Sequence, residues 1–218
     1  MICNKDVLFL HVPKTGGMAV TAKLLEILPR PVYYAVPEGH QGKITDPKVK
    51  ITIGNRHGTL NEAKEWVEKL GMTLESFKKI IAFVRNPYDM EVSRYFYLQL
   101  GHPWDKGQAQ SIALEGNFEK FAIESLYFGR KSSEIYKYFV INGEVPQNMT
   151  ILRYENLESE LKNSLSEVGI DFGEPLPVLN QTKRGKYQEY LTPKAEEGIY
   201  QRYQWLFNFG FYPRCQKE

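Results

Sequence analysis

The chain has 218 residues, long enough to bury roughly 70% of its unfolded surface in one large domain with no disulfide or metal to staple it. Lys and Arg number 28 against 26 Asp and Glu, a formal charge of +2. That balance excludes a polybasic nucleic-acid wrapper and an acidic tail protein, so any anion site must be a local cluster. The only cysteines, Cys3 and Cys215, give neither a disulfide framework nor a CxxC metal spacing. No signal peptide and no apolar run of roughly 20 residues is present, so the expected compartment is reducing and cytoplasmic.

The first element is the apolar run Val7-Leu8-Phe9-Leu10, as expected of a strand buried on both faces of a parallel sheet. It leads through His11 into Pro13-Lys14-Thr15-Gly16-Gly17, and a helical pattern follows from Met18. Two glycines at a strand-to-helix turn let successive backbone N–H groups point at one anion, with the partial charge of the helix N-terminus behind them. Lys14 adds a full charge. In a Walker A loop the lysine follows the glycines and a Ser or Thr then holds Mg²⁺; both features are missing here. The same residues also read as a plain βα turn with a surface lysine.

Val49, Ile51 and Ile53 alternate with polar residues, predicting a strand with one polar face. Gly54-Asn-Arg-His57 follows, and Thr59-x-x-Glu62 is a capping box for a helix striped by Leu60, Ala63, Val67 and Leu70 and closed by Gly71. Residues 80–84 form a second fully apolar run. They end in Arg85-Asn86-Pro87, where Asn86 reads as an N-cap and Pro87 as the first residue of a helix running to about Leu100. Arg85 leaves the strand at its carboxyl end with a guanidinium able to fork onto a phosphate, and Ser93 sits two turns into the helix.

Residues 101–148, broken by Gly101, Pro103, Gly107 and Gly116, carry short helical patterns around 118–128 and are expected to cover the substrate side. A strand at 149–152, a helix striped by Leu157, Leu161, Leu165 and Val168, and a last helix from Thr192-Pro193 to about Trp205 complete the pattern. Strands alternating with helices predict an α/β three-layer sandwich with a mostly parallel sheet, spanning 1–218 as a single domain. Such folds bind ligands at the strands' carboxyl ends.

The segments HVPKTGG at 11–17 and FVRNPYDMEVSRYFY at 83–97, in that order, resemble the PAPS-dependent sulfotransferases, particularly their carbohydrate branch of heparan and chondroitin type. RYENL at 153–157, Asn180-Gln-Thr and the ending from Tyr187 to Pro213 extend the likeness. The resemblance implies a P-loop nucleotide-hydrolase-like fold and sulfuryl transfer from 3′-phosphoadenosine 5′-phosphosulfate (PAPS), with PAP as product and no metal. For the acceptor, the branch implies a hydroxyl borne by a carbohydrate. It implies that Lys14, Thr15, Gly16, Gly17 and Met18 hold the 5′-phosphosulfate and that Arg85 and Ser93 hold the 3′-phosphate. Met18 departs from the family, which has a Thr or Ser there; the departure removes one hydroxyl contact and leaves the backbone donors.

His57 is the favoured general base, since an imidazole of near-neutral pKa can take a hydroxyl proton and the resemblance places a His in this stretch. His11 reads as a structural residue beside the loop, His40 and His102 as exposed, and Glu62 as a cap. Lys183 and Arg184 match a late basic loop of the donor site; a solvated basic loop is the competing reading. Most aromatic residues, including Phe83, Phe96 and Trp205, fall in apolar patterns expected of the core. A P-loop small-molecule kinase and a non-catalytic nucleotide- or sugar-binding module are the alternatives, the first weakened by the missing Walker lysine and Mg²⁺ ligand.

Overall fold

Six strands form one sheet in the order β4-β3-β1-β2-β5-β6 in the computed structural model, which describes residues 1–39, 46–101, 107–127, 129–177, 179 and 184–215. The strands are β1 (Ile2–Cys3), β2 (Val7–Leu10), β3 (Val32–Val36), β4 (Val49–Ile53), β5 (Lys79–Val84) and β6 (Met149–Arg153). β1 pairs antiparallel with β2 and β3, while β2–β5, β5–β6 and β3–β4 are parallel. Five strands therefore run one way and β1 alone opposes them. The expected mostly parallel α/β fold is what the chain adopts.

The continuous apolar runs are where burial on both faces demands them: every residue of β2 is buried, as are the five after Lys79 in β5. Two strands escape the sequence pattern. β1 has only two residues and so no period to read, and β3 lies in a stretch with no alternation. Asn4 makes the turn between β1 and β2, its side-chain oxygen accepting from the amides of Asp6 (2.9 Å) and Val7 (2.8 Å).

The chain falls into two compact units. The first comprises Met1–Val84 with Lys137–Leu179 and holds the whole sheet. On one face, Val7, Phe9, Ile81 and Phe83 pack with Val20 and Leu24 of α1 (Gly17–Ile27) and with Leu161 and Leu165 of α6 (Leu157–Ser166). On the other lies α2 (Leu60–Glu68), whose Trp66 indole donates to Thr52 Oγ1 at 2.8 Å. Helices on both faces make the three layers. The expected capping box is present, with Glu62 accepting from the Thr59 amide at 2.7 Å. α2 ends at Glu68, short of the Leu70 that the apolar stripe suggested.

The second unit, Arg85–Tyr136 with Asn180–Glu218, is helical: α3 (Pro87–Gln99), α4 (Gln108–Leu114), α5 (Phe118–Glu124), α7 (Pro193–Arg202) and α8 (Gln204–Asn208). Asn86 caps α3 as its sequence predicts, accepting from the amides of Tyr88 and Asp89, with Pro87 in the first turn. The expected single helix from Pro193 to about Trp205 is instead two. Tyr203, whose hydroxyl donates to the buried Glu91 at 2.7 Å, leaves helical geometry between them (φ −116°, ψ 28°).

Candidate active site

The strand directions put the carboxyl ends of β2, β4 and β5 at one edge of the sheet. From β2 the chain turns through Pro13–Gly16 into α1 with two left-handed residues, Lys14 (φ 66°) and Gly16 (φ 76°). A lysine in that region is strained, which marks a constrained site. Gly16 is the N-cap of α1 and offers no side chain to the first-turn N–H groups; Ala19 donates back to the Gly16 carbonyl at 3.0 Å, and the amides of Gly17 and Met18 stand at the helix end where an anion site requires donors.

Sterics explain why both glycines stand here. A Cβ on Gly16 would sit 3.0 Å from Leu157 and Tyr154, and one on Gly17 would overlap the His11 ring at 2.0 Å. Thr15 is fully buried and its hydroxyl is spent inside the turn, donating to the Val12 carbonyl at 2.8 Å. Met18 is 41% exposed at the second position of α1.

The loop after β4 reaches the same place. β4 and β2 are separated by β3 and β1, about 14 Å of sheet. Residues 54–59 nonetheless fold back so that His57 Nδ1 lies 3.0 Å from the His11 carbonyl oxygen. A carbonyl only accepts, so Nδ1 carries the proton and Nε2 keeps its lone pair. The two imidazoles meet edge to face with centroids 4.3 Å apart. The Tyr138 hydroxyl donates to the His57 carbonyl at 3.1 Å, and the His57 amide donates to Asn55 Oδ1 at 3.0 Å. Burial, helped by nearby Arg56, pulls the His57 pKa below the ordinary histidine value even though the His11 carbonyl opposes it. Burial also drives His11 well below that value. Glu62 is fully engaged by Thr59 and Asn55, so it holds the cap and is not available as a base.

The remaining candidates belong to the helical unit. Arg85 is buried and donates from Nε (2.8 Å) and Nη2 (2.6 Å) to Asp89 Oδ2. Arg184 Nη2 donates to the other oxygen of the same carboxylate at 2.6 Å. Two residues 99 positions apart in sequence are thus brought together on one acid. For Arg184 this corrects the reading as a solvated loop, since its side chain is only 13% exposed. Ser93 is buried in α3. Lys183, His40, His102 and the Asn180-Gln-Thr segment lie outside the described residues. Among the described residues no group of three His, Cys, Asp or Glu could hold a metal ion, and no helix is long and apolar enough to cross a membrane.

A family model described as the sulfotransferase domain matches residues 70–192, more than half of the chain. The chain belongs to this sulfotransferase family. The matched span carries Arg85, Ser93, Lys183 and Arg184; the Lys14 loop and His57 precede it. The crystal structure of mouse sulfotransferase SULT7A1 complexed with PAP is similar in fold, with a TM-score of 0.52 and 15% identity over 97% of this chain and 86% of that one. No curated protein matches the sulfotransferase chain by sequence.

Three residues of the site escaped sequence reasoning. Asp89 had a usable signal, standing in the first turn of α3 four residues after Arg85. Tyr138 had none, because its partner His57 lies 81 residues away. Arg56 carried no signal in the sequence beyond its place before His57; its Nη1 lies 4.0 Å from Met18 Sδ at the mouth of the loop.

Proposed function

We propose that this sulfotransferase moves a sulfuryl group from PAPS to a carbohydrate hydroxyl in line, with His57 as the base. His57 Nε2 takes the acceptor's proton while its Nδ1–H stays bonded to the His11 carbonyl. The new S–O bond forms as the bond from sulfur to the oxygen bridging it to the 5′-phosphate breaks. Lys14 stabilises the charge growing on that oxygen, and the backbone N–H groups of Thr15, Gly16, Gly17 and Met18 hold the phosphate. Arg85, Ser93, Lys183 and Arg184 are assigned to the 3′-phosphate. Asp89, which both described arginines grip, keeps their guanidinium groups oriented for it.

The observation that carries the reading is the Lys14–Gly17 turn, a strained cation-bearing anion cradle at the start of a buried helix. The PAP held by the mouse relative supports the donor, and the motif pair at 11–17 and 83–97 supports the carbohydrate branch. Residues 101–148 are assigned to the acceptor side of a single catalytic domain. Two unpaired cysteines, Cys3 buried, support a reducing, cytoplasmic setting.

Calorimetric titration with PAP tests the donor site. Wild-type protein is expected to bind and Arg85→Ala to lose at least about tenfold in affinity, the worth of a charged hydrogen bond to phosphate. A folded wild type indifferent to PAP refutes the donor assignment. Sulfation of oligosaccharides by wild type and not by His57→Ala tests acceptor and base together.

A further inference from the structure

Arg56 is a half-buried cation that the proposed chemistry leaves unused. Among the described residues it has no carboxylate partner. Its Nε is buried without a hydrogen-bond acceptor among the described residues, and its Nη1 donates only weakly, to the Met18 thioether at 4.0 Å. The face of the guanidinium rests over the Tyr34 ring, 5.9 Å from its centroid. Withdrawing a guanidinium from water is unfavourable unless an anion answers it, and stacking on a ring replaces only a little of that.

The placement is specific. Met18 is the second residue of α1, and the Met18 side chain has no polar hydrogen to donate. Arg56 therefore brings forked N–H donors to a stretch, Gly16 to Met18, whose side chains offer none. Beside it the His11 ring, 4% exposed and with Nδ1 unpartnered, is packed against Gly17. Two nitrogens of this neighbourhood, Arg56 Nε and His11 Nδ1, thus have no hydrogen-bond partner among the described residues.

We propose that Arg56 binds the 5′-phosphate of the donor nucleotide, closing over the α1 N-terminus as a second cation after Lys14. The assignment rests on the donor reading above and adds a phosphate-positioning residue to it. Arg56 holds an oxygen that belongs to the leaving group, so its charge favours both donor binding and departure of PAP's phosphate. Burial is the main cause of both low histidine pKa values, and the Arg56 charge acts in the same direction.

The test compares PAP with adenosine 3′-phosphate, which lacks the 5′-phosphate, in calorimetric titrations of wild type, Arg56→Ala and Arg56→Lys. Arg56→Ala is expected to weaken PAP at least about tenfold, to leave adenosine 3′-phosphate unchanged, and to melt no lower than wild type without ligand. Arg56→Lys should fall between. Unchanged PAP affinity in Arg56→Ala overturns the assignment while leaving the donor reading intact, as does equal weakening of both ligands. A wild type that binds no PAP sinks the donor reading, and inorganic phosphate then decides the inference alone. Gly17 and Met18 amide shifts that phosphate induces in wild type and not in Arg56→Ala sustain an oxyanion site at Arg56; their absence from wild type overturns it.

Discussion

His57 owes its usefulness to what surrounds it. Its Nδ1 proton is committed to a backbone carbonyl, so no side-chain substitution elsewhere can easily flip the tautomer, and the ring presents Nε2 as the basic atom. Burial keeps the neutral form favoured below the ordinary histidine pKa, 6.5. A base must be neutral to act. The activity in kcat/KM should therefore hold level through neutral pH and fall on the acid side with a midpoint below 6.5, a profile that steady-state rates from pH 5 to 8 would reveal. A midpoint above 6.5 would mean that a group other than a burial-lowered His57 is titrating. The same depression has a sign for stability: the unfolded chain takes up protons on His11 and His57 before the folded one does, so the fold weakens as pH drops below 6.5.

α3, α7 and the end of α5 are bound through one acid. Glu91 of α3 is fully buried and accepts from Arg94 at 2.8 Å, Arg202 at the end of α7 at 2.5 Å, and Tyr203 at 2.7 Å. Arg94 and Arg202 also donate to the carbonyls of Leu126 and Ser125, just past α5. Burial disfavours the carboxylate, yet the two guanidinium charges outweigh it and hold its pKa below the usual value. Removing one partner of such a cluster strands the rest. Glu91→Ala should cost about 3–5 kcal/mol in urea unfolding, and a loss under 1 kcal/mol would show the network to be dispensable. This cluster was legible only in part. Pattern and caps locate α3 and α7, but nothing in the spacing says that Glu91 faces Arg202, 111 residues on.

At the scale of the whole molecule, a ligand that binds only the folded chain stabilises it by mass action. PAP at 100 times its dissociation constant should add about 2.7 kcal/mol, a rise of roughly 5–10 °C in melting temperature for a chain of this size. Thermal melts with and without PAP would show it, and Arg85→Ala should lose most of the rise. A shift equal in the two proteins would place the nucleotide away from Arg85. The sheet was legible at the same scale where burial writes itself into composition: Val7–Leu10 and residues 80–84 are apolar throughout because both their faces are covered. β1 stayed hidden since two residues have no period, and with it the one antiparallel member of the sheet.

The sequence by itself determined what local chemistry dictates. The Gly-Gly turn, the Asn86-Pro87 start, the Thr59 and Glu62 box and the buried strands all follow from backbone sterics, orphan amides and burial, each settled within a few residues. Only the tertiary structure decided which distant groups meet. The order β4-β3-β1-β2 and the fold-back of residues 54–59 bring His57 to His11 across 46 positions, and Asp89 draws Arg184 to Arg85. Those meetings depend on strand order and loop path, which are set by the packing of the whole chain and leave no periodic trace along it.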